Sequence, residues 1–301
     1  MSQLNKIDYQ RYVEITHSKK QVNKVILNDL TAEQEMIDLI ASTADALTQW
    51  LEGDYYHSKN ERLIQLEDRD MQQIVLDILC ETAVLTDPVE FTSIVGQCAG
   101  VLRMSDKYEG IVTTAEIMSV IAEYDLFDIF KMETDEGATL HLMNNIELSE
   151  QVHKHLRATK YLPPMIVQPN EVTRNYDSDL LTESSSMILG KGTHHDEDIC
   201  LDSINTFNRI PLCLNERILT QLSEVPKKAD MPADTKRQWL TFVTESYRTY
   251  RDLIQTGNKF YERHKVDKRG RTYAQGYHVS TQGNQFRKAI VEFADKEVIE
   301  G

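Results

Sequence analysis

The chain has 301 residues, 41% hydrophobic and 27% charged, which suits one large globular domain or two smaller ones and is enough to bury a core. No run approaches the roughly 20 apolar residues that a bilayer span needs, and no signal-type apolar stretch follows the N-terminus, so a soluble protein with no membrane partner is expected. The net charge of −15 argues against indiscriminate nucleic-acid binding, because phosphate contacts need Lys and Arg.

In chain order, Thr31 and Gln34 have capping-box spacing ahead of Met36, Ile37, Ile40, Ala44, Leu47 and Leu51, an i, i+4 stripe that predicts an amphipathic helix. Similar stripes predict helices through Met71–Leu79, from Val89 behind Pro88 to Met104, and from Ala115 to Leu126. The runs from Ile129 and from Thr139 flank an Asp/Glu/Gly cluster, which predicts a β-hairpin near 129–145 projecting from the helices, with its tip at Thr134, Asp135, Glu136 and Gly137. His153 and His155 fall on opposite helix faces and read as solvent-facing.

The prolines of Pro163-Pro164-Met165-Ile166-Val167-Gln168-Pro169 forbid helix, and a domain boundary is placed there. The Asp/Ser/Thr/Gly-rich stretch 170–192 reads as a long loop. Two helices are expected next, Asp196 to about Val225 interrupted at Pro211, and Asp234 to about Gly257, forming an antiparallel pair across the turn between Pro226 and Pro232. His194-His195-Asp196-Glu197-Asp198 reads as acidic complement to a helix N-terminus rather than as a metal cluster. Cys80, Cys98, Cys200 and Cys213 form no C-x-x-C pair and read as structural thiols of a reducing compartment, not zinc ligands.

Charge is uneven along the chain. The stretch 259–288 carries Lys259, Arg263, Lys265, Lys268, Arg269, Arg271, Arg287 and Lys288 against Glu262 and Asp267, with Tyr261, Tyr273 and Tyr277 interleaved. Such a basic island suits phosphate contact with stacking, although a solvated charged face has the same composition.

Within it lie Asp267-Lys268-Arg269-Gly270-Arg271-Thr272-Tyr273, then Gln282-Gly283-Asn284 and Lys288. This segment resembles the D-x-x-G-R-x-Y motif of the single-subunit, phage-type and mitochondrial-type RNA polymerases, which a Q-G-N and a Lys follow at similar spacing. Upstream, Asn205, Asn208, Ile210, Leu212, Asn215 and Leu219 fall in register with the family's thumb signature N-x-x-Q-x-T-x-W-x-I-N-x-x-V-L, with Asn208, Ile210 and Leu212 replacing its Gln, Thr and Trp. Pro164-Met165 resembles the start of its P-M-V-V-P-P, preceded by Ile146-Glu147-Leu148.

The resemblance implies a mainly α fold with minor β. A helical N-terminal domain with its hairpin would span 1–162, a connector and thumb-like helix pair 163–257, and the start of the palm of a right-hand polymerase 258–301. It implies nucleic-acid contacts by Asp267, Arg269, Gly270, Arg271, Tyr273, Gln282, Gly283, Asn284 and Lys288. Gly270 would allow close backbone approach, Arg271 would fork onto a phosphate, and Asp267 would brace Arg271 or another cation. The family's two Mg²⁺-binding aspartates lie well beyond this motif, and Asp295 alone, in the residues after Arg271, does not supply them.

No catalytic or metal-binding residue is therefore expected in this chain, which would be inactive alone, with Mg²⁺ at a partner's site. The resemblance is to the heterodimeric branch of the family in N-four-like podophages. It implies a second polymerase subunit, a DNA template and RNA–DNA hybrid, an accessory factor for promoter or single-stranded DNA, and the cytoplasm of an infected bacterial host. A non-enzymatic DNA-binding or transcription-regulatory protein on a polymerase-like scaffold is the alternative.

Overall fold

A computed structural model of the chain describes residues 3–134, 137–182, 186–190, 195–226 and 230–296. It is mainly helical, with small antiparallel sheets. The chain divides into two compact units, Val22–His155, and Met1–Gln21 together with Leu156–Gly301. The first helix therefore belongs with the C-terminal residues. No helix among the described residues is long and apolar enough to cross a membrane.

Helix α1 (Gln3–His17) belongs to the C-terminal unit, and α2 (Lys19–Leu30) leads into the unit Val22–His155. There α3 (Gln34–Leu51) buries Ile40, Ala44 and Leu47, the stripe read from the sequence. Its expected capping box does not form. The helix begins at Gln34, so this residue is too early to reach back as an N3 side chain; Thr31 Oγ1 instead donates to the Leu27 carbonyl at 2.8 Å.

After α4 (His57–Leu63), α5 (Met71–Thr82) and its N-cap Asp70, which accepts from the Gln73 backbone N–H, bury Ile74, Val75, Ile78 and Leu79 at no more than 1% exposure. The helix expected from Val89 is shorter. Val89 and Glu90 form β1 (Val89–Glu90), opposite Leu142 and His141, and α6 (Phe91–Cys98) begins only beyond them. Pro88 favours extended backbone before it, and the hairpin offers an edge for the next two residues.

Helix α7 (Lys107–Ala122), capped by Asp106, leads to β2 (Phe127–Thr134) and β3 (Gly137–Asn144). These form the expected hairpin, in register from Phe127 opposite Asn144 to Thr134 opposite Gly137. Its root is anchored by fully buried Phe127 and Leu142, while Lys131 and Glu133 nearer the tip are exposed. Asp135 and Glu136 lie outside the described residues.

Helix α8 (Glu150–Thr159) spans the division between the units. His153 and His155 on it are each half-buried rather than solvent-facing.

In the C-terminal unit the expected helix from Asp196 to about Val225 is replaced by α9 (Leu201–Asn208), β4 (Pro211–Leu214) and α10 (Glu216–Gln221). Asp196–Asp198 therefore precede no helix directly, and the antiparallel helix pair does not form. Proline is tolerated at the first position of a strand, and beyond it Leu212 and Leu214 alternate inward onto Tyr250, Leu253, Phe260 and Ile290. The second expected helix forms as α11 (Ala233–Gln255), ending beside Gly257 as expected.

Strand β4 pairs with β5 (Phe260–Tyr261). Next come β6 (His264–Val266), β7 (Thr272–Ala274), α12 (Gln285–Ala289) and β8 (Val291–Phe293), the last pairing with the other side of β4. Met165 exchanges backbone hydrogen bonds with Tyr261, so the proline-rich connector extends this sheet. Gln10 and Glu14 tie α1 into the same unit. Gln10 accepts from the Ile166 backbone N–H, and buried Glu14 accepts from Leu181 and from both the N–H and hydroxyl of Thr182. Cys80 and Cys98 are buried, Cys200 and Cys213 half-buried, and all four are free thiols.

Candidate nucleic-acid interface

The D-x-x-G-R-x-Y segment is a hairpin of β6 and β7, with Val266 opposite Thr272 and Lys265 opposite Tyr273. The Gly270 N–H donates to the Asp267 carbonyl at 2.9 Å, closing a four-residue turn, and the Asp267 N–H donates to the Arg271 carbonyl at 2.9 Å. Gly270 sits at φ +79°, and a Cβ placed on it would meet no atom within 4 Å, so backbone handedness rather than space demands glycine. Gly270→Ala is expected to destabilise the hairpin by about 1–2 kcal/mol, read as a lower denaturant midpoint with an unchanged slope.

Asp267 organises the turn. One carboxylate oxygen accepts from the backbone N–H groups of Arg269 and Arg271 at 2.9 and 3.0 Å, and the other takes the Arg269 guanidinium at 2.9 and 2.7 Å. Desolvation works to raise its pKa, but the hydrogen bonds from Arg271 and Arg269 outweigh it and hold the value at about 2. The cation it braces is thus Arg269. Arg271 beside it is exposed, and its guanidinium has no hydrogen bond to any described residue. Tyr273 is half-buried, its hydroxyl 3.5 Å from the Asp267 carboxylate.

The downstream residues hold this hairpin in place. The Gln282 side chain mimics a neighbouring strand along the outer edge of β7, accepting from the Ala274 N–H at 3.0 Å and donating to the Thr272 carbonyl at 3.1 Å. A Cβ on Gly283 would lie 2.8 Å from that of Arg287, so the loop passes α12 at a distance only glycine allows. Asn284 caps α12 by accepting from the Arg287 N–H at 2.9 Å and also donates to Glu224. Lys288, on α12, is exposed.

Beneath β6 lies a polar network that the sequence did not reveal. Arg263 donates two hydrogen bonds, at 2.9 and 2.6 Å, to Asp179, which is wholly buried. Asn208, on α9, donates to Asp179 and meets His264 Nδ1 at 3.0 Å; burial pushes the His264 imidazole below its usual range. Glu262, also buried, accepts from Thr281. The thumb-signature asparagines serve as pins: Asn205 exchanges hydrogen bonds with Val172 through both ends of its amide, and Asn215 caps α10.

An aromatic cluster accompanies them. Tyr161 stacks on Tyr277 with centroids 3.4 Å apart, Phe242 packs against Tyr277 and His278, and the Arg287 guanidinium lies 4.5 Å above the Phe242 ring. Burial, with the Arg287 charge adding to it, pushes the His278 pKa down to about 4.

The basic island is therefore divided by role. Lys259, Arg263, Arg269 and Arg287 pair with Asp295, Asp179, Asp267 and Glu224. Lys268, Arg271 and Lys288 are exposed without an ion pair among the described residues. Net charge is divided too. Residues 22–155 hold 26 Asp and Glu against 8 Lys and Arg, while the unit with the hairpin holds 25 Lys and Arg against 22 Asp and Glu. The acidity that counts against nucleic-acid binding belongs to the other unit.

No protein-family model matches the chain, and no curated protein matches its sequence.

Proposed function

We propose that the chain is a subunit of a DNA-directed RNA polymerase of the phage-type, single-subunit class. Its C-terminal unit would hold template strand and RNA–DNA hybrid, while a partner polypeptide carries the two Mg²⁺-binding aspartates. The observation that supports this most is the division of labour in the β6–β7 hairpin. Asp267, Gly270, Gln282 and Asn284 are spent on shaping and seating the turn, and they leave Arg271 exposed and unneutralised beside it. A turn whose only role was structural has no need of that second arginine. A fork-shaped donor on a hydrogen-bonded hairpin suits a phosphate group, two of whose oxygens take parallel N–H bonds.

Isolation of the tagged chain from infected cells tests the reading. The co-purified complex is expected to incorporate ribonucleotides into RNA on single-stranded DNA with Mg²⁺, and the chain alone is expected to be inactive. Purification without a partner, together with DNA binding, would transfer the reading to a regulatory protein on a similar scaffold.

A further inference from the structure

The unit Val22–His155 carries a groove of about 390 Å³ with no assigned role, within the range of volumes that hold ligand groups. It lies where the end of α2 and the start of α3 meet the segment leading into α8. Exposed Ala32 and half-buried Met36 supply its accessible apolar lining, over a floor in which Leu30 and Leu148 are each 3% exposed. Asp29, Glu33, Glu147 and Glu150 supply its charge, and no Lys or Arg lines it. Ser149 satisfies both oxygens of Asp29, through its N–H at 2.8 Å and its hydroxyl at 2.7 Å, which fixes one wall. Glu33 and Glu147 are exposed and have no cation partner among the described residues.

We propose that this groove docks a basic, amphipathic segment of another protein, its apolar side chains over Ala32 and Met36 and its Lys or Arg side chains on Glu33 and Glu147. Charge complementarity selects the occupant. The Glu33 and Glu147 carboxylates beside apolar surface attract a cationic chain, in a unit whose acidic residues outnumber its basic ones more than threefold. The same field repels nucleic acid. This inference does not depend on the polymerase reading.

The test is fluorescence anisotropy of the full chain with a labelled helical peptide of Leu and Lys at i, i+3, i+4 spacing, and with the same peptide carrying Glu for Lys. Binding of the Lys peptide alone is expected, weakening with salt and falling about tenfold in Glu33→Gln/Glu147→Gln. Glu67→Gln/Asp68→Asn, exposed acids of the same unit away from the groove, is expected to leave binding unchanged. All four substitutions replace exposed carboxylates by amides, so thermal unfolding should be unaltered. Absence of binding, equal loss in both double variants, full competition by spermine, or binding of single-stranded DNA with the same sensitivity to the groove variant would each overturn the proposal.

Discussion

Arg263→Ala is expected to destabilise the C-terminal unit by about 3–5 kcal/mol, because it leaves a fully buried carboxylate without its cation. Asp179 is 0% exposed, and Arg263 provides both of the short hydrogen bonds that satisfy it. Asn208 reaches the same carboxylate only at 3.5 Å, too far to compensate. The substituted protein must therefore solvate the carboxylate by opening the structure. That opening loosens β6, since Arg263 directly precedes that strand and its carbonyl accepts from Gln275 beyond β7. Trp239 lies on α11, so its fluorescence in a Trp50→Phe background follows this unit during denaturation. The double change Arg263→Met/Asp179→Leu is expected to recover most of the loss, because removing both charges also removes the desolvation penalty.

Arg271→Ala is expected to behave in the opposite way. The side chain is exposed and makes no hydrogen bond within the described residues, so stability should change by less than about 0.5 kcal/mol. Affinity for single-stranded DNA should fall about tenfold or more, the value of one charge-assisted hydrogen bond of about 1.5–3 kcal/mol, and equally for different base sequences. RNA synthesis by the assembled complex should fall with it. Arg269→Ala is the contrasting variant. That guanidinium is held by Asp267, so its loss should disturb the turn before it disturbs binding.

The elements that were legible in the sequence are those whose determinants are local. The Ile74–Leu79 stripe of α5, Gly257 after α11, and the runs from Ile129 and Thr139 that pair as β2 and β3 each act within a few residues of where they stand. In the candidate interface the motif residues were legible, but the turn that Asp267 and Gly270 shape from inside was not read from them. The segment 196–225 departs from the helix expected there because β4 exists through distant partners. Leu212 pairs with Phe260 and Phe293, and Asn258 clamps Leu214 through both ends of its amide, neither of which a helical periodicity registers. Asp179 looks like any residue of an Asp- and Ser-rich loop until Arg263 is brought to it. Gln10 and Glu14, spaced like an exposed helical pair, instead turn inward to hold the connector. The division of charge between the units, by contrast, is already present along the chain, because residues 1–21 add only four Lys and Arg and two Asp and Glu to the C-terminal unit.

If Arg271 is presented to a nucleic-acid backbone, the salt dependence of single-stranded DNA binding is where its contribution is read most directly. Each phosphate neutralised on a single strand adds about 0.7 to the slope of log affinity against log salt. A finite negative slope is expected for the intact protein and a slope shallower by about 0.7 for Arg271→Ala, with thermal stability unchanged. Identical slopes for the two proteins would contradict the role assigned to Arg271.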